Sequence, residues 1–284
     1  MLSSKLLGIT TITYLICMVT YFTYLFFRNP KFGKIITGIT IFALTVHTVA
    51  LGLRWYESYQ LGYGHIPLSN LYESLMSLAW TTVLLYLIIE FRYKSKALGI
   101  FIFPIVSIAM AYASLSPNIQ DEIEPLIPAL QSNWLTYHVI TCFLSYSAFA
   151  ISFGSSITYL MKLRKSSKNN PGQKEADEML PSMESLDEII YKTVAIGFLL
   201  LSIGIITGAV WANYAWGSYW SWDPKETWSL VTWLVYAFYL HAKRLKGWRG
   251  SRIAIISVMG FASTMFTYLG VNLLLSGLHS YGGM

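Results

Sequence analysis

Residues 211–228 read WANYAWGSYWSWDPKETW and carry five tryptophans, at 211, 216, 220, 222 and 228, with Trp233 just beyond. Trp216, Trp220 and Trp222 fall within seven positions. Indoles favour the headgroup layer of a bilayer, where one or two per helix end form an aromatic belt. Three packed into one loop expose apolar surface that stays costly until a flat hydrophobic ligand or another protein covers it. A ligand platform and a dense belt are the two readings of this run. Asp223 followed by Pro224 has the composition of a helix start, with Asp as N-cap and Pro in the first turn.

Five histidines stand at 47, 65, 138, 241 and 279. His138 opens one apolar run and His279 follows the end of the last, which brings both to the side of the tryptophan loop. Two neutral imidazoles on opposite sides of an aromatic bed are what a six-coordinate haem iron takes as axial ligands. The alternative is a pair of interfacial histidines bonded to water or backbone. Zinc, the next metal in line, wants further ligands such as His65 or Asp223, with cysteine or closer spacing, and no such spacing exists. His241 lies about fifteen residues into its apolar run, ~22 Å at 1.5 Å per residue. There it is either a functional ionisable group in the inner half of a membrane or a side chain reaching the inner interface beside Lys243. His47 reads equally as a helix–helix hydrogen bond or a ligand, and His65 has no special support. Arg54 and Lys225 could pair with carboxylates of a ligand or anchor helix ends. Asn70 and Glu73, in PLSNLYESL, read as an N-terminal helix cap.

The elements that position these residues follow from composition. Of 284 residues, 55% are hydrophobic and 12% charged, with a mean hydropathy of +0.50. Soluble domains carry roughly 25% charged residues, so most of this surface faces something other than water. Apolar runs of about 20 residues match a ~30 Å hydrocarbon core. Eight spans are expected, at 7–27, 35–53, 72–90, 97–114, 138–161, 193–213, 227–242 and 253–277. Seventeen of the 20 Lys and Arg residues fall on one side of this topology, leaving Lys5, Arg54 and Lys225 on the other. Positive charge stays inside; both termini and the tryptophan loop between spans six and seven are therefore expected outside. The first span is too long for a signal core and lacks a small-residue cleavage site, so it reads as a retained helix. The net charge of +6 is spread among short loops, which argues against a nucleic-acid partner. Cys17 and Cys142 lie in apolar runs without a CxxC, so neither a disulfide framework nor a thiol redox role is indicated. One membrane domain is expected, with residues 1–165 holding five helices and 188–284 holding three. Between them, the polar segment 166–187 reads as a flexible cytoplasmic linker, with a short helix near Glu184.

WGSYWSWDPKETW resembles the WWD signature of a haem-handling protein family, and the chain as a whole is similar to its CcsA (ResC) branch of System II cytochrome c biogenesis. PLSNLYESL, PLIPALQSNWLTYHV, LVYAFYLHAKR and GLHSY resemble family segments in the same order, so nearly the whole chain is covered except the region near 166–187. The resemblance implies that His138 and His279 ligate haem b, bound as substrate, at an outer site that includes Trp216, Trp220, Trp222 and Asp223. It implies that His241 belongs to a second, inner haem position completed by a CcsB (ResB) partner. With that partner the expected work is transport of haem and its covalent attachment to a CxxCH apocytochrome c, in a bacterial inner or plasma membrane or a plastid thylakoid membrane. A haem exporter without ligation activity and a HemX-like regulatory membrane protein are the alternatives. No residue has the look of a nucleophile or acid–base pair, which suits a protein that positions its reactants.

Overall fold

The computed structural model describes residues 1–27, 30–166 and 180–275, which are all-helical apart from their loops. The helices are α1 (Leu2–Phe27), α2 (Pro30–Gln60), α3 (Leu71–Tyr93), α4 (Gly99–Leu115), α5 (Asn133–Ser166), α6 (Met183–Trp216), α7 (Pro224–Arg244) and α8 (Ser251–Met265). A π-helical turn, Phe266–Gly270, and a last α-turn, Val271–Leu274, continue α8. Each expected span falls on a helix, except that Ala97, Leu98 and Leu275 at span ends are not helical. Among the described residues six helices are long and apolar enough to cross a membrane. The 17-residue α4 is shorter than these, and α7 is rich in Trp and Tyr with charged residues at both ends.

Two local expectations meet their geometry directly. Asn70 caps α3, its side chain accepting the Glu73 N–H at 2.9 Å, while the Glu73 carboxylate accepts from the Ser69 N–H at 2.8 Å. Asp223 caps α7 through a capping box with Glu226. One boundary differs. Ser182 accepts the Ser185 N–H at 3.1 Å and starts α6 at Met183, inside the stretch read as linker, and the helix then runs unbroken for 34 residues. Helical periodicity in the sequence is obscured there by the charged residues Glu184, Asp187 and Glu188, which lie on the first turns.

The helices pack as two halves. In the first, α1 lies on α2 and α4, and α3 lies on α4. The end of this half away from Arg54 is closed around Glu90, whose carboxylate accepts from Tyr21 at 2.8 Å, Tyr86 at 2.6 Å and Lys96 at 2.6 Å, and from Thr37. In the second half α5 lies along α6 and α8, and α7 lies on α8; α3 against α5 joins the halves. His47 is buried between α1 and α2 with Nδ1 3.2 Å from the Tyr14 hydroxyl, so the helix–helix bond is the role seen.

The most extensive helix–helix contact among the described residues is that of α5 with α6. Positions 138, 142 and 145 lie on one face of α5, spaced by four and three residues. A Cβ added to Gly204 of α6 would lie 2.8 Å from Cys142 Sγ. Only hydrogen at that position lets the two backbones come so near, as small residues do between helices in membranes.

Candidate functional site

One end of the second half opens into a cleft between the start of α3, α5, α6, the tryptophan loop, the start of α7 and the end of the α8 rod. Its enclosed part measures ≈ 210 Å³, and the empty space reaches ≈ 1260 Å³ with the mouth included. Ligand sites usually hold ~300–1,000 Å³, so a large ligand fills this cleft only by extending into its mouth. The lining is apolar along Leu135, Val139, Phe143, Leu201 and Ile205, and polar around Lys225, Ser229 and Asn272.

His138 lines the cleft from α5. Its Nδ1 lies 2.7 Å from the Gly204 carbonyl oxygen. A carbonyl only accepts, so Nδ1 carries the proton and Nε2 keeps the lone pair. This is the arrangement in which a backbone carbonyl orients a metal-ligating imidazole. The ring stacks on Trp211 with centroids 6.1 Å apart and planes 18° apart, and Cys142 Sγ lies 3.7 Å from Nδ1. Gly208 completes the seat: a Cβ there would meet His138 Nδ1 at 2.6 Å. Trp211 is itself fixed, its indole N–H donating to the Ala129 carbonyl at 2.8 Å.

The loop tryptophans take different positions. Trp220 lines the cleft. Trp216 packs edge-on against Trp211, with centroids 4.8 Å apart. Trp222 adopts φ 61°, a left-handed conformation uncommon for a bulky residue, and is 68% exposed. Trp228, on α7, packs on Phe266 of the π turn. That turn shifts the register of the α8 rod, and such bulges recur at functional sites; here it places Thr267, Tyr268 and Asn272 in the cleft wall.

The two outer cations part company. Arg54 is buried, its Nε donating to Glu73 at 2.7 Å and its other nitrogens to the carbonyls of Asp121 and Glu122 at 2.9 and 3.1 Å. It serves as an anchor of the outer loop, and a role toward a ligand carboxylate is set aside for it. Lys225 lines the cleft. Burial lowers its pKa from 10.5 to about 8, against the Asp223 and Cys142 charges, which raise it.

His65 is held between the carbonyls of Ile66 and Glu124, at 3.1 and 2.9 Å. Among the described residues no three His, Cys, Asp or Glu side chains converge as a metal site. His241 stands in the last turn of α7, exposed on the helix side and away from the cleft. His279 lies outside the described residues.

Residues 68–279 match the family described as cytochrome C assembly protein. The chain belongs to that family. Cytochrome c biogenesis protein CcsA of Guillardia theta is 43% identical, with 97% of this chain and 95% of the relative covered. The protein of the same name from Chlamydomonas reinhardtii is 47% identical over 90% of this chain and 69% of its own. That from Prochlorococcus marinus (strain MIT 9313) is 42% identical over 88% and 85%. Among solved structures, Cytochrome c Heme Lyase CcmF superposes with a TM-score of 0.71 at 15% identity, over 94% of this chain and 46% of that one. This chain thus spans about half the length of that protein, and the likeness is one of fold.

The part matching the assembly family begins at Leu68 and holds every element of the cleft. Within it the structure brings together His138, Trp220 and, through Trp211, Trp216; Asp223 stands behind Lys225 as a cap. Trp222 joins them only through Trp220, whose ring it meets edge-on with centroids 5.7 Å apart, and His241 stands apart on the last turn of α7. Sequence reasoning missed the Gly204 carbonyl, Gly208, Cys142 and Asn272. The Gly204–Gly208 spacing and the four-residue step from His138 to Cys142 were the signals present for three of them.

Proposed function

We propose that this assembly protein works in cytochrome c biogenesis by holding haem b, as substrate, at the outer cleft for attachment to apocytochrome c. The observation that carries the reading is the His138 imidazole, fixed by Gly204 in the tautomer that leaves Nε2 for iron, in the wall of an aromatic and apolar cleft. The donor set fits the group: one oriented imidazole, flat indole surfaces and a cation at the cleft edge. His279 is the second axial ligand in this reading. The chain crosses the membrane eight times with both termini outside, which puts the cleft on the outer face.

Haem supplies the iron and the two vinyl groups to which the CxxCH thiols add. The chain's own residues bind and orient. Gly204 and Gly208 hold the His138 ring, Trp211 and Trp220 cover apolar surface and exclude water, and Lys225 offers a cation to carboxylates. His241, exposed near the inner end of α7, belongs to an inner haem position shared with a CcsB-type partner, and its outward placement supports a site completed by another chain. The membrane is a bacterial inner or plasma membrane or a plastid thylakoid membrane.

The test is absorption spectroscopy of the purified chain, with and without its partner, for wild type, His138→Ala and His279→Ala, together with a CxxCH reporter. A Soret band lost in both variants and covalent haem on the reporter are expected. A band that survives both substitutions defeats the reading. Bound haem with no covalent product makes the chain an exporter or chaperone.

A further inference from the structure

Asn272 follows the π-helical turn and lines the cleft, and its Oδ1 is buried with no hydrogen-bond partner. An orphaned buried acceptor carries its full desolvation penalty, and folded chains keep few of them. The hydroxyls of Ser74, Ser229, Thr267 and Tyr268, which line the same cleft, are spent elsewhere. Ser229 donates to the Glu226 carbonyl at 2.7 Å and Thr267 to that of Trp228 at 3.1 Å, while the Ser74 and Tyr268 hydroxyls bond each other at 2.8 Å. A donor for Asn272 has to come with whatever fills the cleft.

An iron porphyrin with ionised propionates has no N–H or O–H to give. An imidazole bound to its iron has one, on the ring nitrogen that does not hold the metal. Metal-ligating histidines almost always donate that N–H to a carbonyl, a carboxylate or water. For His138 the acceptor is the Gly204 carbonyl, where α5 meets α6. Asn272 stands on the α8 rod, another wall of the cleft, and carries an oxygen of the same carbonyl type. The last torsion of asparagine is broad, so the amide turns to meet a ring that docks beside it.

We propose that Asn272 is the positioning residue for the second axial imidazole, its Oδ1 accepting the N–H of that ring as Gly204 accepts from His138. The inference rests on the porphyrin reading above and adds the group that orients the other ligand. The ring comes from one of two sources: His279, seven residues on in this chain, or the histidine of an incoming CxxCH segment.

The experiment mixes the full chain carrying His279→Ala with haemin in detergent and restores its Soret band with imidazole or with 1-methylimidazole. Both rings ligate iron, and only imidazole keeps an N–H to give; haemin in protein-free micelles corrects for their intrinsic difference. Imidazole is expected to act at about tenfold lower concentration. Asn272→Leu removes that preference and leaves the response to 1-methylimidazole as it was. Equal concentrations before the Asn272 substitution overturn the inference, as does a band that neither ring restores or a preference that survives in Asn272→Leu. The first comparison needs no change at Asn272, so misfolding of that variant cannot mask it. Two further arms identify the source. If the ring is His279, Asn272→Leu with His279 intact weakens haemin about ten- to a hundredfold. If it is the incoming histidine, the same loss falls on a synthetic peptide in which both cysteines of CxxCH are serine. No loss in either arm also overturns the inference. If haemin gives the wild-type chain no Soret band that His138→Ala abolishes, the porphyrin reading falls and takes this one with it.

Discussion

Arg54 and Lys225 are both cations near helix ends, and the two halves of the molecule set them in different surroundings. In the first half, Arg54 meets a carboxylate and two carbonyls, and Glu90 at the far end of the same bundle meets two tyrosines, a threonine and a lysine. In the second half, Lys225 and Asn272 line a cleft instead, and Asn272 keeps an orphaned acceptor. Of the five buried side-chain polar atoms without a hydrogen-bond partner among the described residues, four lie in α5, α7 and the α8 rod. A charge neutralised from within holds helices together; an acceptor left open at a cleft, as Asn272 Oδ1 is, can meet something that arrives. Helices α1 and α2, outside the family match, belong to the closed half.

The comparison breaks most visibly at Arg54. Removing one partner of a buried pair leaves an uncompensated charge, at a cost of about 3–5 kcal/mol. Arg54→Ala and Glu73→Ala should each lower the thermal midpoint sharply, and Arg54→Met with Glu73→Met should recover much of the loss. In the fraction that folds, haemin affinity should stay as in wild type. A lost affinity there would place Arg54 in the ligand site after all.

Gly208→Ala comes next. Its Cβ would overlap the His138 ring, and disturbing the groups that orient a metal ligand typically costs ~10–100-fold in affinity. Imidazole and 1-methylimidazole should restore the His279→Ala Soret band less well and to the same degree, unlike the selective loss in Asn272→Leu. Gly52→Ala, where no atom lies within 4 Å of an added Cβ, should change nothing. Restored binding of His138→Gly by added imidazole, in the Gly208 background but not in Gly208→Ala, would tie the effect to the ring seat.

What was legible in the sequence is local. Capping at Asn70 and Asp223 follows from residue type within one turn, and the apolar runs mark where the helices lie but not how far α2 and α6 extend into polar sequence, to Gln60 and back to Met183. The place of His138 near the N-terminal end of a helix was legible too. Its partner was not: Gly204 lies 66 positions away, and only the α5–α6 packing makes its carbonyl the acceptor. Arg54 illustrates the same limit, since a lone cation beside a membrane looks available until Glu73 is seen 19 residues on. Trp222 looked like its neighbours in the motif, but its left-handed backbone turns it outward. The cleft depends on a π turn that nothing in the spacing of 266–270 announces.

A smaller effect sharpens the open half. Facing Lys225 across the cleft are His138, Cys142 and Tyr268, and beside it on α7 are Asp223 and Glu226. Its folded pKa of about 8 lies below the ordinary 10.5. Between these values the unfolded chain binds more protons, so the ligand-free protein gains stability as pH rises through that window. The thermal midpoint of wild type relative to Lys225→Met should be flat below about pH 8 and should rise above it, levelling off near 10.5.

The smallest expected effect separates the cap from the charge at Asp223. Asp223→Ala loses the bond to the Lys225 N–H, worth about 1 kcal/mol of stability. Asn caps as well as Asp, so Asp223→Asn should hold the thermal midpoint nearly at wild type. The substitution does remove the negative charge that raises the Lys225 pKa. The pH at which the rise begins should therefore move below about 8. An onset that does not move in Asp223→Asn would mean that Lys225 is not the group whose proton governs it. The rise would then belong to another group at the cleft, and the two halves would differ in their hydrogen bonds without differing in how they hold a charge.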